Sequence, residues 1–314
     1  MKDKNRVIST AALLFSIIFT YILFRILQPN RFGSLESMLM VLKQSLIPAV
    51  GACGCFFAYI VGLFDMSMGA NIILSGLVGC MLSIRFGYIG LFAGSMATGL
   101  MVGVVNALVT QKLRIPSVVA TVGTLILYES FSYYITIVAG GTNSLTLDHS
   151  LRAFGAYPWN LLLCSICFAA VYILYKYSKL GVYCNAIGTN RKIAEEYGID
   201  VDKWVFIASA VGGLFIGIMG MMSISYGSTF TPALNMESFK RGFSSMMGSF
   251  IGVAMKKYMN PVIAIILGEF LMYLLMNGLI TCGVDSSLQD FVQGVVLILV
   301  VCVTMKTSKY EEVA

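Results

Sequence analysis

From Val7 to Met305 the chain is a succession of apolar runs of bilayer-crossing length, separated by short polar interruptions. A hydrocarbon core about 30 Å thick is crossed by about 20 helical residues at 1.5 Å each. The pattern predicts helical spans over about 7–27, 38–61, 66–84, 87–111, 116–139, 158–177, 204–225, 242–255, 261–280 and 287–305. The eighth is too short to cross as a straight helix and the third begins abruptly, so broken or re-entrant segments are expected at both. The expected fold class is an all-α, polytopic integral membrane protein of about ten transmembrane helices. Residues 1–314 are read as one transmembrane domain, with nothing left over for a soluble catalytic domain.

Composition agrees. At 58% hydrophobic and 11% charged residues, the chain has too few charges to cover a water-soluble surface of this size. Lys and Arg cluster in alternate gaps: Lys2, Lys4 and Arg6; Lys112 and Arg114; Lys176, Lys179, Arg191, Lys192 and Lys203; Lys256 and Lys257; Lys306 and Lys309. Positive charge beside spans is retained on the cytoplasmic side, which puts both termini in the cytoplasm of a multi-pass cell-membrane protein. The opposite gaps hold Arg25, Arg31, Lys43, Arg85, Arg152, Lys240 and Arg241, so the bias is incomplete. The asymmetry accounts for the net charge of +6 and gives no reason to expect nucleic acid as a partner. The first span lacks a small-residue cleavage site and reads as retained rather than as a signal peptide.

Of the eight cysteines, Cys53, Cys55, Cys80, Cys164, Cys167 and Cys302 fall inside expected spans and read as small apolar fillers. Cys164-x-x-Cys167 has no partner set to complete a metal site, and His149, the single histidine, reads as a solvated loop residue. No phosphate-cradling G-x-x-x-x-G-K-[ST] loop is present, so this chain does not hydrolyse ATP alone. Neither catalytic residues nor a cofactor site is expected. Ionisable groups inside the spans are few: Asp65, Glu129 and Glu269, with Asp290 nearer an end. Burying such groups costs several kcal/mol, so they mark either a function or a satisfied structural contact. Glu129, within Tyr128-Glu129-Ser130-Phe131-Ser132-Tyr133-Tyr134, is the strongest functional candidate, and its alternative is a hydrogen-bonded carboxyl facing a neighbouring helix. The nearby aromatics Tyr128, Phe131, Tyr133 and Tyr134 can stack on sugar or base rings or serve as packing anchors.

Two local patterns stand out. Gly62-Leu63-Phe64-Asp65-Met66-Ser67-Met68-Gly69 interrupts two apolar runs, and Asp65 and Ser67 are placed to cap the helix that follows. The same end can point into a transport pathway. The longest hydrophilic stretch, Leu180 to Lys203, predicts a short helix over 191–197 capped by Thr189 or Asn190 and ended by Gly198. Ile193, Ala194 and Tyr197 are expected on one face of it, a docking element for a partner groove.

These segments resemble the ribose-type permeases of binding-protein-dependent ABC importers. Gly62 to Gly69 is similar to their Gly-Ile-Asp-Leu-Ser-Val-Gly motif. Leu180 to Lys203 resembles their cytoplasmic coupling segment, through the Leu-Gly-x-Tyr start, Gly188-x-Asn190 and Gly198-Ile199-x-Val201. Arg114 to Thr121, Gly212-Gly213-Leu214 through Gly220, and Asn277-Gly278-Leu279 with Gly283-Val284 follow in order.

The resemblance implies a ten-helix importer subunit that moves a sugar or nucleoside-like solute, driven by ATP hydrolysis in a separate cytoplasmic subunit. Further implied partners are a second permease, identical or homologous, and an extracytoplasmic solute-binding protein. The coupling segment spans about 178–203, with Gly188, Thr189, Asn190, Ile193, Ala194, Tyr197 and Gly198 as its ATPase-facing candidates. Pathway candidates are Asp65, Ser67, Tyr128, Glu129, Phe131 and Asn277. One stretch departs: a Gly-rich loop before the ninth span is replaced by Met247 to Lys257, which points to the divergent half of a heterodimer. The rival readings are an ion-coupled carrier using Glu129 or Asp65, and a non-transporting scaffold subunit.

Overall fold

Helix covers each expected crossing in the computed structural model, which describes residues 2–29, 31–138 and 141–309. Ala139, the end of the expected fifth span, lies outside the described residues, as do the side chains of Lys2, Lys4, Arg6, Cys302, Lys306 and Lys309. In chain order the helices are α1 (Lys2–Leu27), α2 (Leu35–Ile60), α3 (Met68–Leu113), α4 (Ser117–Tyr133), α5 (Trp159–Tyr177), α6 (Lys179–Thr189), α7 (Arg191–Glu196), α8 (Val201–Gly227), α9 (Ser238–Met255), α10 (Pro261–Thr281) and α11 (Ser286–Lys309). A π-helical turn (Tyr134–Val138) extends α4. Beyond it come a 3-10 helix (His149–Gly155) and two antiparallel strands of two residues each, β1 (Leu145–Thr146) and β2 (Thr229–Phe230).

Among the described residues, seven helices are long and apolar enough to cross a bilayer: α1, α2, α3, α4 with its π turn, α5, α8 and α10. The 46 residues of α3 are long enough for two crossings, and the helix reverses at Gly87, whose φ is +59°. Gly79 packs against Leu91 and Ser95 across that turn, and Gly90 against Leu82. Residues with a Cβ rarely adopt this backbone conformation, so glycine makes the hairpin possible. The eighth and tenth expected spans are α9 and α11, and α6 and α7 occupy the hydrophilic stretch.

The chain forms two compact units, residues 1–49 with 244–314, and residues 50–243. In the first, α1 packs on α10 around Phe24, Phe32, Val41 and Leu274. Gly278 makes room for the Phe24 ring, where a Cβ would collide. Arg25, one of the charges that weakens the inside bias, binds the carbonyls of Pro29 and Phe32 in the loop after α1. Ser244 Oγ donates to the buried Glu269 carboxyl at 3.0 Å, and Gly248 leaves room beside it. The expected position of a Gly-rich loop is therefore helical through Met255.

In the second unit the α3 hairpin grips α8 along a seam of small residues. A Cβ on Gly213 would lie 2.8 Å from the Cα of Gly103, and Ser209 Oγ donates to the Gly103 carbonyl at 2.9 Å. Without water to drive helices together in lipid, such close backbone approach supplies the dispersion contacts that hold them.

Candidate functional site

The hydrophilic stretch folds into a module with a small core of its own. Asn190 is the N-cap of α7, accepting from the Ile193 N–H at 3.2 Å, while Thr189 bonds back to Asn185 within α6. Gly198, at φ +79°, closes the helix: its N–H meets the Glu195 carbonyl, and the Ile199 N–H reaches back to Ala194. This is the left-handed helix stop that glycine provides most readily. Asp200 then caps α8 through the Lys203 N–H at 3.1 Å.

The expected face splits. Ile193 and Tyr197, four residues apart, are 49% and 84% exposed, but Ala194 is 3% exposed and packs with Ile187, Val201 and Val205. Each helical residue turns the next by about 100°, so Ala194 leaves the face that Ile193 and Tyr197 share. Ala194 is therefore part of a small core within the segment and not of its outward face. Beside α7 a groove of about 480 Å³ is lined by Lys179, Tyr183, Tyr197, Ile199, Lys203 and Trp204. The Tyr183 and Trp204 rings meet at 4.6 Å within it.

That module sits against the interrupted helix. Gly188 contacts the end of α2, where a Cβ would collide with the Ile60 carbonyl, and Val61 and Leu63 join the Ala194 cluster. The stop after α2 repeats the Gly198 arrangement, with Gly62 at φ +83°, its N–H on Tyr59, and the Leu63 N–H on Ala58. Residues 61–67 then run without helix, and their backbone must find partners that lipid cannot offer. Helix α4 supplies them: Ser117 Oγ accepts from the Phe64 N–H at 3.1 Å and Thr121 Oγ1 from the Met66 N–H at 3.0 Å.

Asp65 closes a turn just ahead of α3 and, contrary to expectation, does not cap the helix's own amides, accepting from the Ser67 N–H at 2.8 Å and the Ser67 hydroxyl at 2.7 Å. Ser67 makes no side-chain cap either. Its hydroxyl accepts instead from Asn106 Nδ2 at 2.7 Å, and the same amide donates to Asp65 Oδ2 at 3.1 Å. The Asn106 oxygen accepts from Thr124 at 2.9 Å and from the Tyr128 hydroxyl at 3.0 Å. Asn106 is thus the hub of the network. Asn106 is uncharged and sits in an apolar run, so its signal lies on α4, where Thr124 and Tyr128 face it and Ser117 and Thr121 continue the same polar stripe to the break.

Glu129, 2% exposed, accepts from the Met236 and Ser238 N–H groups, each at 2.9 Å. Phe131 stands apart, 52% exposed on the outer side of α4. Asn277 belongs to α10 in the first unit. Among the described residues no group of three or more His, Cys, Asp or Glu is placed to hold a metal ion.

Helices of lipid-crossing length, and an interruption whose Phe64 and Met66 amides find partners on α4, mark a multi-pass membrane protein. Residues 37–301 match the family described as branched-chain amino acid transport system / permease component, and the chain belongs to it. It is similar to the ribose import permease protein of Escherichia coli strain K12, at 24% identity over 89% of this chain and 88% of that protein. It is likewise similar to the ribose import permease protein of Haemophilus influenzae, at 22% identity over 86% and 85% of the two chains. The autoinducer 2 import system permease protein of Yersinia pestis Pestoides F is 26% identical over 91% of this chain and 81% of its own length. No solved structure matches.

Proposed function

We propose that the chain is the membrane-spanning subunit of an ABC importer, passing a sugar or nucleoside-like solute while a separate cytoplasmic ATPase supplies the work. The relatives are named for ribose and autoinducer 2 import, which favours a small hydroxylated solute over an amino acid. The observation that carries the reading is the capped module α6 to α8. It presents Ile193 and Tyr197 outward while Ala194 packs inward on residues flanking the helix break. An ATPase gripping residues 188–198 would thereby push on the end of α2. Both termini lie in the cytoplasm with that module, a second permease completes the pathway, and an extracytoplasmic binding protein delivers the solute. Residues 1–314 act as a single permease domain. The helical stretch in place of a Gly-rich loop suits a chain paired with a non-identical partner.

Asp65, Ser67 and Tyr128 serve the pathway by holding the break in shape. An ion-coupled carrier would need a carboxyl whose hydrogen bonds can be exchanged, whereas Asp65 has both oxygens occupied within the protein. Photo-cross-linking from Ile193 and Tyr197 is expected to capture a subunit bearing a nucleotide-phosphate loop. Scrambling 190–198 is expected to abolish ATP-driven uptake in a complex that still assembles. Proton-gradient-driven uptake by this chain alone would overturn the reading.

A further inference from the structure

Glu129 reaches across to a turn that does not suit its own residues. Asn235 and Met236 sit at φ +57° and +65°, a region that Asn tolerates but that a long, flexible Met has no local reason to prefer. Both oxygens of Glu129 are committed there, one to Met236 N–H and one to Ser238 N–H, the latter opening α9. The Ser238 half of the contact is buried, with Glu129 and Ser238 at 2% and 0% exposure, while Met236 is 40% exposed at its edge. Gly69 and Gly242 meet backbone to backbone beside it, so the start of α3 rests on the same helix head.

The residue before Glu129 is Tyr128, which belongs to the Asn106 hub. One turn of α4 therefore carries both the contact to the helix break and the clamp on the turn. The break in turn shares a cluster with the coupling module through Val61 and Leu63. We infer that Glu129 is a positioning residue of the transport cycle: it fastens the Asn235–Ser238 turn to α4, so that movement entering at the break carries the head of α9 along with α4. The inference rests on the proposed importer function, and α4 is then the member that turns a push near the coupling module into displacement at the far turn.

The test uses the complete complex in liposomes, with Glu129→Gln. A carboxamide offers one acceptor where the turn needs two, so one of the Met236 and Ser238 amides loses its partner. Hydrogen exchange over 234–239 is expected to speed up about tenfold, equivalent to about 1.4 kcal/mol of lost local protection. Basal ATP hydrolysis is expected to stay within about twofold, while its stimulation by the solute-binding protein drops at least fivefold. A purely structural clamp would change exchange and leave the stimulation ratio intact. That result, or unchanged exchange, overturns the inference. Should the Gln variant not assemble, Glu129→Asp keeps both oxygens one methylene short and is read by the same ratio, with intact stimulation again overturning it. If the wild-type complex captures no ATPase, the importer reading has failed, and the transport role of Glu129 falls with it, whatever exchange shows of the clamp.

Discussion

The helix break and the α6–α8 module proposed to couple lie side by side in one unit, yet their polar groups are held on opposite terms. At the break, Ser67, Asn106, Thr121 and Thr124 are all buried, and each hydrogen bond replaces one that water cannot make there. In the module, Arg191 pairs with Glu195 at 3.3 Å and Asp202 at 3.2 Å, with side chains more than half exposed on every partner. Ion pairs in water contribute about 0–1 kcal/mol, whereas orphaning one buried polar group costs about 1–3 kcal/mol. A surface that binds and releases a partner has to tolerate unmade contacts. A backbone interruption inside lipid tolerates none.

Asn106→Leu should be the most damaging change, because it removes the amide that Asp65 Oδ2 and the Ser67 hydroxyl accept from and the oxygen that Tyr128 donates to. A loss of about 3 kcal/mol or more is expected, read as the largest fall in thermal unfolding of the detergent-solubilised protein. Asn190→Ala removes the α7 cap at an expected cost of about 1 kcal/mol, confined to faster hydrogen exchange in 191–199 with the global transition nearly unmoved. Arg191→Ala is expected to shift stability by less than about 0.5 kcal/mol while slowing ATPase association at low salt. A larger thermal effect from Arg191→Ala than from Asn106→Leu would reverse the comparison.

The smallest effect belongs to an exposed cap outside both regions. Backbone donation from Ser150 to Asp148 at 3.1 Å, helped by the Ser150 side chain, holds that carboxyl below the usual carboxylate range. A depressed native pKa stabilises the fold above the unfolded value of about 4 and loses that contribution as pH falls through the native one. Protection of 149–155 is therefore expected to be flat above pH 5 or so and to decline below, and Asp148→Asn should flatten the profile.

Much of this was legible. The spans were written in uninterrupted apolar length, and the reversal at Gly87 fell between two of them because Arg85 and Gly87 break the run. The stops at Gly62 and Gly198 and the Asn190 cap follow from local backbone chemistry that a few residues specify. What was hidden depends on which helices meet. Nothing near Asn106 in the chain announces Asp65, Thr124 and Tyr128 as its partners. The attachment of Glu129 to backbone amides at 236 and 238 is a contact across more than a hundred residues, with no charged partner to betray it. Ala194 was misplaced for a related reason, since its inward turn depends on Ile187 and Val205 arriving from flanking helices.

Three helices of this protein, α2, α7 and α10, end on the same device: a glycine in the left-handed region, at 62, 198 and 283, with paired reverse bonds behind it. Lipid-facing side chains need only be greasy, so Leu, Ile, Val and Phe can trade places over long stretches with little penalty. A single methyl at one of those three glycines strains the backbone whatever surrounds it. Most letters of such a chain can therefore be exchanged at little cost, while its three stops cannot.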